Sequence, residues 1–181
     1  MISSRRGFTI VELLIVIVVI AILAAISIVA YSGIQDRSIS ARRLNDMEVI
    51  TKALEMYKAQ KGFYPAVQSN SSGGWERSAV NPANFLQALK TEGILTSIPV
   101  DPINDAPQGA MGPETTFISY TYYLYPAGQF GCDTSLGQVY VLKIEAPGKP
   151  AIAGSPGLRC GAVYVGGSGT NTPYWSGRTT N

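Results

Sequence analysis

With 181 residues, the chain is long enough for one membrane helix and one small domain, and its net charge of +2 gives no reason to expect sequence-specific binding of nucleic acid. It contains no histidine, which removes the commonest general base and the commonest metal ligand. No Ser-His-Asp arrangement, phosphate-binding glycine loop or CxxC pair occurs. We therefore expect a protein that is not an enzyme and that needs no cofactor.

The first element is an apolar run that begins near Phe8 and continues to Ile34 with a single charge, Glu12. About 20 apolar residues span a bilayer as a helix, so the part of the run after Glu12 is long enough. A carboxylate at the edge of such a run is costly if it enters hydrocarbon alone, and an ionisable residue there predicts a functional partner. The run offers no cation of its own before Arg37.

A cut between Gly7 and Phe8 would supply that partner. Phe8 would then carry a free α-amino group, whose ordinary pKa of about 8 leaves it mostly cationic at neutral pH. The same cut removes Arg5 and Arg6 from the product, so the new amine becomes the only cation near the start of the helix.

A basic pair, a glycine, a phenylalanine and a glutamate stand at fixed spacing before the apolar run, in the order Arg5-Arg6-Gly7-Phe8-Thr9-Ile10-Val11-Glu12-Leu13-Leu14. This arrangement resembles the class III signal of type IV prepilins and of the pseudopilins of type II secretion. The resemblance implies that prepilin peptidase cleaves after Gly7 and methylates the nitrogen of Phe8. It also implies that Glu12 engages the Phe8 amine of an adjacent subunit when subunits leave the lipid bilayer and join a helical homopolymer on an inner-membrane assembly platform.

Two other interpretations of the apolar run stay open. A secretory signal peptide could be cleaved near Ala25-Ile26-Ser27, although its apolar core would exceed the usual length of roughly 7–15 residues and would carry a charge. A plain single-pass anchor explains the length but gives Glu12 no role. If the run stays in the membrane, Arg5 and Arg6 keep the N-terminus cytoplasmic and place the rest of the chain outside.

From Phe8 to Gln60 the chain has no proline and one glycine, Gly33, so it predicts one continuous helix that Gly62 and Pro65 end. Its second half is amphipathic, with a core face at three- and four-residue steps: Met47, Ile50, Leu54 and Tyr57. The charged residues of this half are expected on solvated faces: Arg43, Asp46, Glu48, Lys52, Glu55 and Lys58.

The rest of the chain predicts an exported head. A short helix is expected to open at Asn81-Pro82, with Asn81 as its N-cap, and to end at Gly93. Three segments rich in Tyr, Val and Ile predict an antiparallel sheet packed on the core face of the long helix: Phe117–Tyr125, Gln138–Ile144 and Ala162–Val165. The tail beyond has no core pattern, and Tyr174 and Trp175 are expected to hold it to the surface.

Cys132 and Cys160 are the only cysteines, and an even count in an exported domain predicts one disulfide. Two separate buried thiols are the alternative. The order of Tyr64-Pro65, short helix, proline-rich turn and tyrosine-rich strand also resembles the head of major pseudopilins, in which a C-terminal loop can bind calcium. The clustered oxygen donors that could do so are Asp101, Asn104, Asp105 and Asp133. Ordinary turn chemistry explains the same residues.

The predicted fold class is thus α+β and pilin-like. It has four parts: a leader, 1–7; a transmembrane and assembly half-helix, 8–34; an amphipathic half-helix, 35–61; and the head, 62–181. The favoured hypothesis is a structural subunit of a type IV pilus, held in the cytoplasmic membrane before assembly and at the cell surface afterwards. The alternative is a major-pseudopilin-like subunit of a periplasmic pseudopilus for type II secretion or DNA uptake. A third is a membrane-anchored binding domain that never polymerises.

Overall fold

The computed structural model describes residues 7–68, 74–80, 82–106, 118–129, 133–145 and 174–178. Its helices and strands are α1 Ile10–Lys61, β1 Glu76–Arg77, α2 Gln87–Thr91, β2 Ser119–Tyr125, β3 Val139–Glu145 and β4 Tyr174–Arg178. The chain divides into two compact units, residues 1–41 and 42–181. The α+β layout expected from the sequence, a long apolar helix followed by a small antiparallel sheet, is confirmed.

The first element, α1, is a single helix of 52 residues, as the lack of proline predicts. It ends before Gly62, whose φ of +83° lies in the left-handed region and whose N–H donates to the Lys58 carbonyl at 2.7 Å. Lys58 and Lys61 stand in the last turn, where positive charge is favoured by the helix dipole.

Within the second unit, one face of α1 packs into an apolar core with both central strands. The predicted core residues Met47, Ile50, Leu54 and Tyr57 are all buried. They share the core with residues from the loops, from α2 and from β2 and β3: Tyr64, Phe85, Leu86, Leu89, Tyr120, Tyr122, Tyr140, Leu142 and Ile144. The expectation that the sheet covers this face of α1 is confirmed.

Two charged residues of α1 depart from the prediction. Arg43 and Asp46 were expected on solvated faces, but their exposed fractions are only 2% and 9%. Their partners come from segments far along the chain, which the helical pattern does not contain. The remaining charges of that half, such as Glu48 and Lys52, lie at the surface as predicted.

The sheet is antiparallel throughout, and its spatial order, β1-β2-β3-β4, follows the chain. Its central pair runs from Ser119 opposite Glu145 to Tyr125 opposite Val139. These two strands confirm the first two predicted segments. The third predicted strand, Ala162–Val165, lies outside the described residues. The composition of the tail gave no sign of β4, which pairs with β3 from Tyr174 to Arg178.

The short helix α2 begins later than the sequence predicts. The expected start at Asn81-Pro82 is wrong, because the described residues 82–86 form turns and α2 begins at Gln87. Leu86 precedes it with a φ of +48°, a left-handed conformation that is unfavourable for a leucine. The Glu76 carboxylate accepts the Leu86 N–H at 3.0 Å and helps hold that conformation. The helix ends at Thr91, and Gly93 follows it with a φ of +69°, in the terminating role that the sequence predicts.

Candidate functional site

The first turn of α1 is organised by Thr9 and Glu12. The Oε2 atom of Glu12 accepts hydrogen bonds from the Thr9 backbone N–H at 2.8 Å and from the Thr9 hydroxyl at 2.7 Å. The Thr9 hydroxyl oxygen accepts the Glu12 N–H at 3.2 Å. This reciprocal arrangement is a capping box, which satisfies backbone donors that have no partner inside the helix. The position of the Glu12 carboxylate is therefore set by the start of the helix itself.

The second carboxylate oxygen of Glu12 has no such partner. Both Thr9 bonds go to Oε2, and Oε1 accepts no hydrogen bond from the described residues. No lysine or arginine among residues 7–68 or in the other described segments forms an ion pair with Glu12. Glu12 thus has a fixed orientation and one oxygen available to a donor from elsewhere.

Gly7 and Phe8 precede the helix in non-helical backbone, and both are exposed. A Cβ built at Gly7 would meet no atom of the described residues within 4 Å, and its φ is not left-handed. The fold of the chain therefore gives no steric or conformational reason for a glycine at this position. Some requirement outside the folded chain, such as recognition by an enzyme, fits better.

The part of α1 after Glu12 is apolar on every face, and its described apolar side chains are exposed. The large apolar side chains described between Ile10 and Ile28, together with Tyr31 and Ile34, are 46–81% exposed. Ser27 satisfies its hydroxyl within the helix by donating to the Leu23 carbonyl at 2.8 Å. By length and composition, α1 can cross a membrane. A surface of this kind requires lipid or protein around it, because leaving it in water is unfavourable.

Comparison with known proteins agrees with this geometry. Residues 2–28 match the Prokaryotic N-terminal methylation motif. The chain is 30% identical over 99 residues to Type II secretion system core protein G of Pseudomonas aeruginosa, which covers 55% of this chain and 68% of that protein. It is 29% identical over 102 residues to the protein of the same name from Escherichia coli, covering 55% and 68%.

This chain belongs to the type IV pilin and pseudopilin family. A third relative, Type II secretion system core protein G of Klebsiella michiganensis, is 28% identical over 100 residues, which cover 55% of this chain and 69% of the relative. No solved structure matches the chain. As a member of this family, the protein is a pilin-like filament subunit whose exposed apolar helix and N-terminal motif fit an anchor in the inner membrane.

The four candidate calcium ligands of this pilin-like chain do not form one group. Asp101 and Asn104 lie in the same loop, but the Asp101 carboxylate is buried against Arg43, and the Asn104 amide contacts Ser78. Asp105 is exposed and pairs through its backbone with Ile118. Within the described part of the chain, no three acidic, histidine or cysteine side chains come together as a metal site.

The fourth candidate ligand, Asp133, has a local structural role. Asp133 accepts the Ser135 N–H at 2.9 Å and caps the short 3-10 turn Thr134–Leu136, and these contacts lower the pKa of its carboxyl. Cys132 and Cys160 lie outside the described residues, so the disulfide stays a prediction. Sequence reasoning missed Thr9, although the Thr-x-x-Glu spacing that precedes an apolar run is the usual signature of a capping box.

Proposed function

We propose that this protein is a major-pseudopilin-like subunit of a type II secretion pseudopilus. Similarity to three proteins named Type II secretion system core protein G supports this hypothesis over a type IV pilus, because the similarity extends beyond the N-terminal motif over about half of the chain. The observation that carries the filament chemistry is the fixed Glu12 carboxylate at the start of an uncovered apolar helix.

Leader removal is the first step of the proposed mechanism. Prepilin peptidase would cut between Gly7 and Phe8, which are exposed and outside the helix. The product begins with the Phe8 amine, which is cationic before and after a single methylation. The steric freedom at Gly7 supports a role for this glycine in recognition rather than in folding.

Pairing between subunits is the second step. The Phe8 ammonium of one subunit would bind Oε1 of Glu12 in the next, while Thr9 keeps Oε2 occupied in the capping box. An ion pair away from water is favourable only when its geometry is good and its remaining lone pairs are satisfied. The capping box supports both conditions, because it orients the carboxylate and already uses one oxygen.

Bundling of the helices would give the apolar half of α1 a cover once it leaves the bilayer. The described apolar side chains between Ile10 and Ile34 are exposed in the single chain, and identical helices packed side by side would cover them. Before assembly the bilayer would take that place, with the head outside the cytoplasmic membrane. The partners required are therefore prepilin peptidase, further copies of the chain and an assembly platform in the inner membrane.

The charge of Glu12 is tested by Glu12→Gln, which keeps an oxygen for the capping box but removes the negative charge. In the source bacterium with the chromosomal copy deleted, we expect this variant to remain in the membrane fraction and to give no chemically crosslinked oligomers, whereas the wild type gives a ladder of them. Glu48→Gln is the matched control, since Glu48 is an exposed glutamate of the same helix that contacts Lys52. Crosslinked oligomers at the normal level with Glu12→Gln would disprove the pairing.

The kind of filament is tested by the deletion itself. Loss of folded enzymes from the culture medium, with enzymes retained in the periplasm, is expected for a secretion pseudopilus. Loss of long surface fibres or of surface motility with normal secretion would instead identify a type IV pilus. Secretion and fibres that are both unaffected would favour the anchored binding domain.

Cleavage is tested by Gly7→Ala against Gly33→Ala. Neither added methyl group meets an atom of the described residues, so neither substitution should disturb the fold. Mass spectrometry of the membrane-extracted protein should find the full leader on Gly7→Ala and an N-methylated Phe8 on Gly33→Ala. A normal N-terminus on Gly7→Ala would contradict cleavage at this bond.

A further inference from the structure

Two charged side chains of α1 are buried in the second compact unit, and the proposed assembly chemistry does not use them. They are Arg43 and Asp46. The Arg43 guanidinium binds the Asp101 carboxylate twice, with Nε to Oδ2 at 2.7 Å and Nη2 to Oδ1 at 3.1 Å. The exposed fractions of these two side chains are 2% and 0%. Two-point binding by arginine fixes both distance and orientation, which a single contact does not.

The carboxylate that Arg43 binds is itself held by its own loop. Oδ1 of Asp101 accepts the backbone N–H of Ile103 at 2.9 Å and that of Asn104 at 3.4 Å. Asn104 has a φ of +46°, a left-handed conformation that asparagine tolerates better than most residues. The loop thus presents a preorganised acceptor to α1.

From this loop the contacts continue to the sheet through Ser78. The Ser78 hydroxyl donates to Oδ1 of Asn104 at 2.6 Å, and the Asn104 side-chain amide donates to the Ser78 carbonyl at 3.2 Å. The Ser78 hydroxyl oxygen also accepts the backbone N–H of Tyr120 at 3.0 Å. Ser78 is fully buried, so these bonds replace its contacts with water.

Tyr120 connects these contacts back to α1. Its hydroxyl donates to Oδ2 of Asp46 at 2.8 Å. Burial, and after it the bond to Asp46, raises the pKa of the Tyr120 hydroxyl, so the phenol is neutral and can donate at physiological pH. Asp46 lies about one helical turn after Arg43, and the contacts therefore close a ring. We call it the polar ring: Arg43, Asp46, Ser78, Asp101, Asn104 and Tyr120.

We propose that the polar ring anchors residues 42–46 of α1 to the rest of the head as a device separate from the apolar core. The core face of the helix begins with Met47, immediately after Asp46. Apolar contacts are non-directional and do not by themselves fix the position of a helix along its axis, whereas hydrogen bonds do. The polar ring supplies directional contacts just before Met47, at the N-terminal end of the core face of α1, where apolar contacts are lacking. This inference holds for a pilus, a pseudopilus or a membrane-anchored domain.

Amide hydrogen exchange of the full chain in detergent micelles, read by mass spectrometry, tests this proposal. Tyr120→Phe removes one hydroxyl from the polar ring but keeps the size and burial of the aromatic side chain. We expect exchange over residues 42–50 to become about tenfold faster, while residues 54–61 and the amides shared by β2 and β3 stay within about twofold of the wild type.

Tyr64→Phe is the matched control. Tyr64 is also buried and its hydroxyl also donates to a carboxylate of α1, Glu55, at 2.8 Å, but it lies outside the polar ring. This variant should leave exchange over residues 42–50 unchanged. Unchanged exchange there in Tyr120→Phe, or an equal increase throughout the head, would overturn the proposal. Arg43→Met should give the same local increase, and if that variant does not fold, Tyr120→Phe decides the question.

Discussion

The two halves of α1 are one continuous helix, but they meet different surroundings. After Glu12 the first half is apolar on every face, and its described large apolar side chains up to Ile34 are exposed. Residues 47–57 are apolar along one face, which the tyrosine-rich sheet covers completely. The width of the apolar stripe, rather than helix propensity, thus decides what the helix packs against. A helix that is apolar on every face requires lipid or other helices around it. A helix that is apolar on one face requires a folded domain against that face.

The polar residues of the two halves differ in the same way. In the first half, Glu12 is satisfied by Thr9, three residues away in the sequence. In the second half, Arg43 and Asp46 bind partners 58 and 74 residues further along the chain. The start of the helix can therefore form its contacts locally. The contacts of Arg43 and Asp46 form only when the distant segments that supply their partners have folded.

The largest expected effect separates the two apolar surfaces. Leu54→Ala leaves a cavity in the core and should lower the free energy of unfolding of the head by about 2–5 kcal/mol, because Leu54 is fully buried. Leu23→Ala changes an exposed side chain and should leave that free energy unchanged. Denaturant unfolding in micelles, followed by tryptophan fluorescence, measures both. Equal losses would mean that the head depends on the apolar half of α1.

The next effect concerns the start of the helix. Thr9→Val keeps the shape of the side chain but removes the capping hydroxyl, and should destabilise the first turn of α1 by about 1 kcal/mol. Amide exchange of residues 10–13 should become faster. Ser27→Ala is the control, since that hydroxyl only donates to a carbonyl within the helix. No change with Thr9→Val would show that the capping box contributes nothing in the membrane environment.

A pH-dependent effect of smaller size is expected at Glu76. Burial raises the pKa of its carboxyl above the ordinary value, although the Leu86 and Gln68 N–H groups oppose the rise. A carboxyl whose pKa is higher in the folded than in the unfolded state stabilises the fold more as pH falls, and this contribution is lost as pH rises through the folded pKa. The denaturation midpoint of the wild type should therefore rise relative to Glu76→Gln between pH 7 and pH 5. A constant difference would contradict a raised pKa.

The smallest effect is expected at the surface pair of Glu48 and Lys52. The Lys52 ammonium contacts the Glu48 carboxylate at 2.6 Å, but both side chains are exposed. Pairs of this kind on helices are weak, so Lys52→Ala should lower the melting temperature by less than about 2 °C. The same contact lowers the pKa of Glu48, so its small contribution is lost as pH falls, opposite in sign to that of Glu76. A larger loss would mean that this surface has an additional partner.

Features that depend on nearby residues could be predicted from the sequence. The extent of α1 follows from the lack of proline, and the core face from the spacing of Met47, Ile50 and Leu54. The two central strands follow from runs of tyrosine and valine. The Thr9 and Glu12 spacing would also have predicted the capping box, since both residues lie in one helical turn.

Features that depend on residues far apart in the sequence could not be predicted. The burial of Arg43 requires Asp101, and nothing within the helix indicates that pair. The start of α2 was predicted five residues too early, because a local Asn-Pro signal gives no information about the Glu76 carboxylate that holds Leu86. Strand β4 forms in a polar tail because β3 offers it a paired edge, from Val139 opposite Arg178 to Lys143 opposite Tyr174.

The sequential order of the sheet has a consequence for biogenesis. Each described strand pairs with the described strand that precedes it in the sequence, so none of these four has to be inserted between two that are already joined. If the head leaves the membrane with β1 ahead of β4, the described strands could join the sheet in the order in which they arrive. Pairing in this order limits the time for which an unpaired strand edge can capture a neighbouring chain.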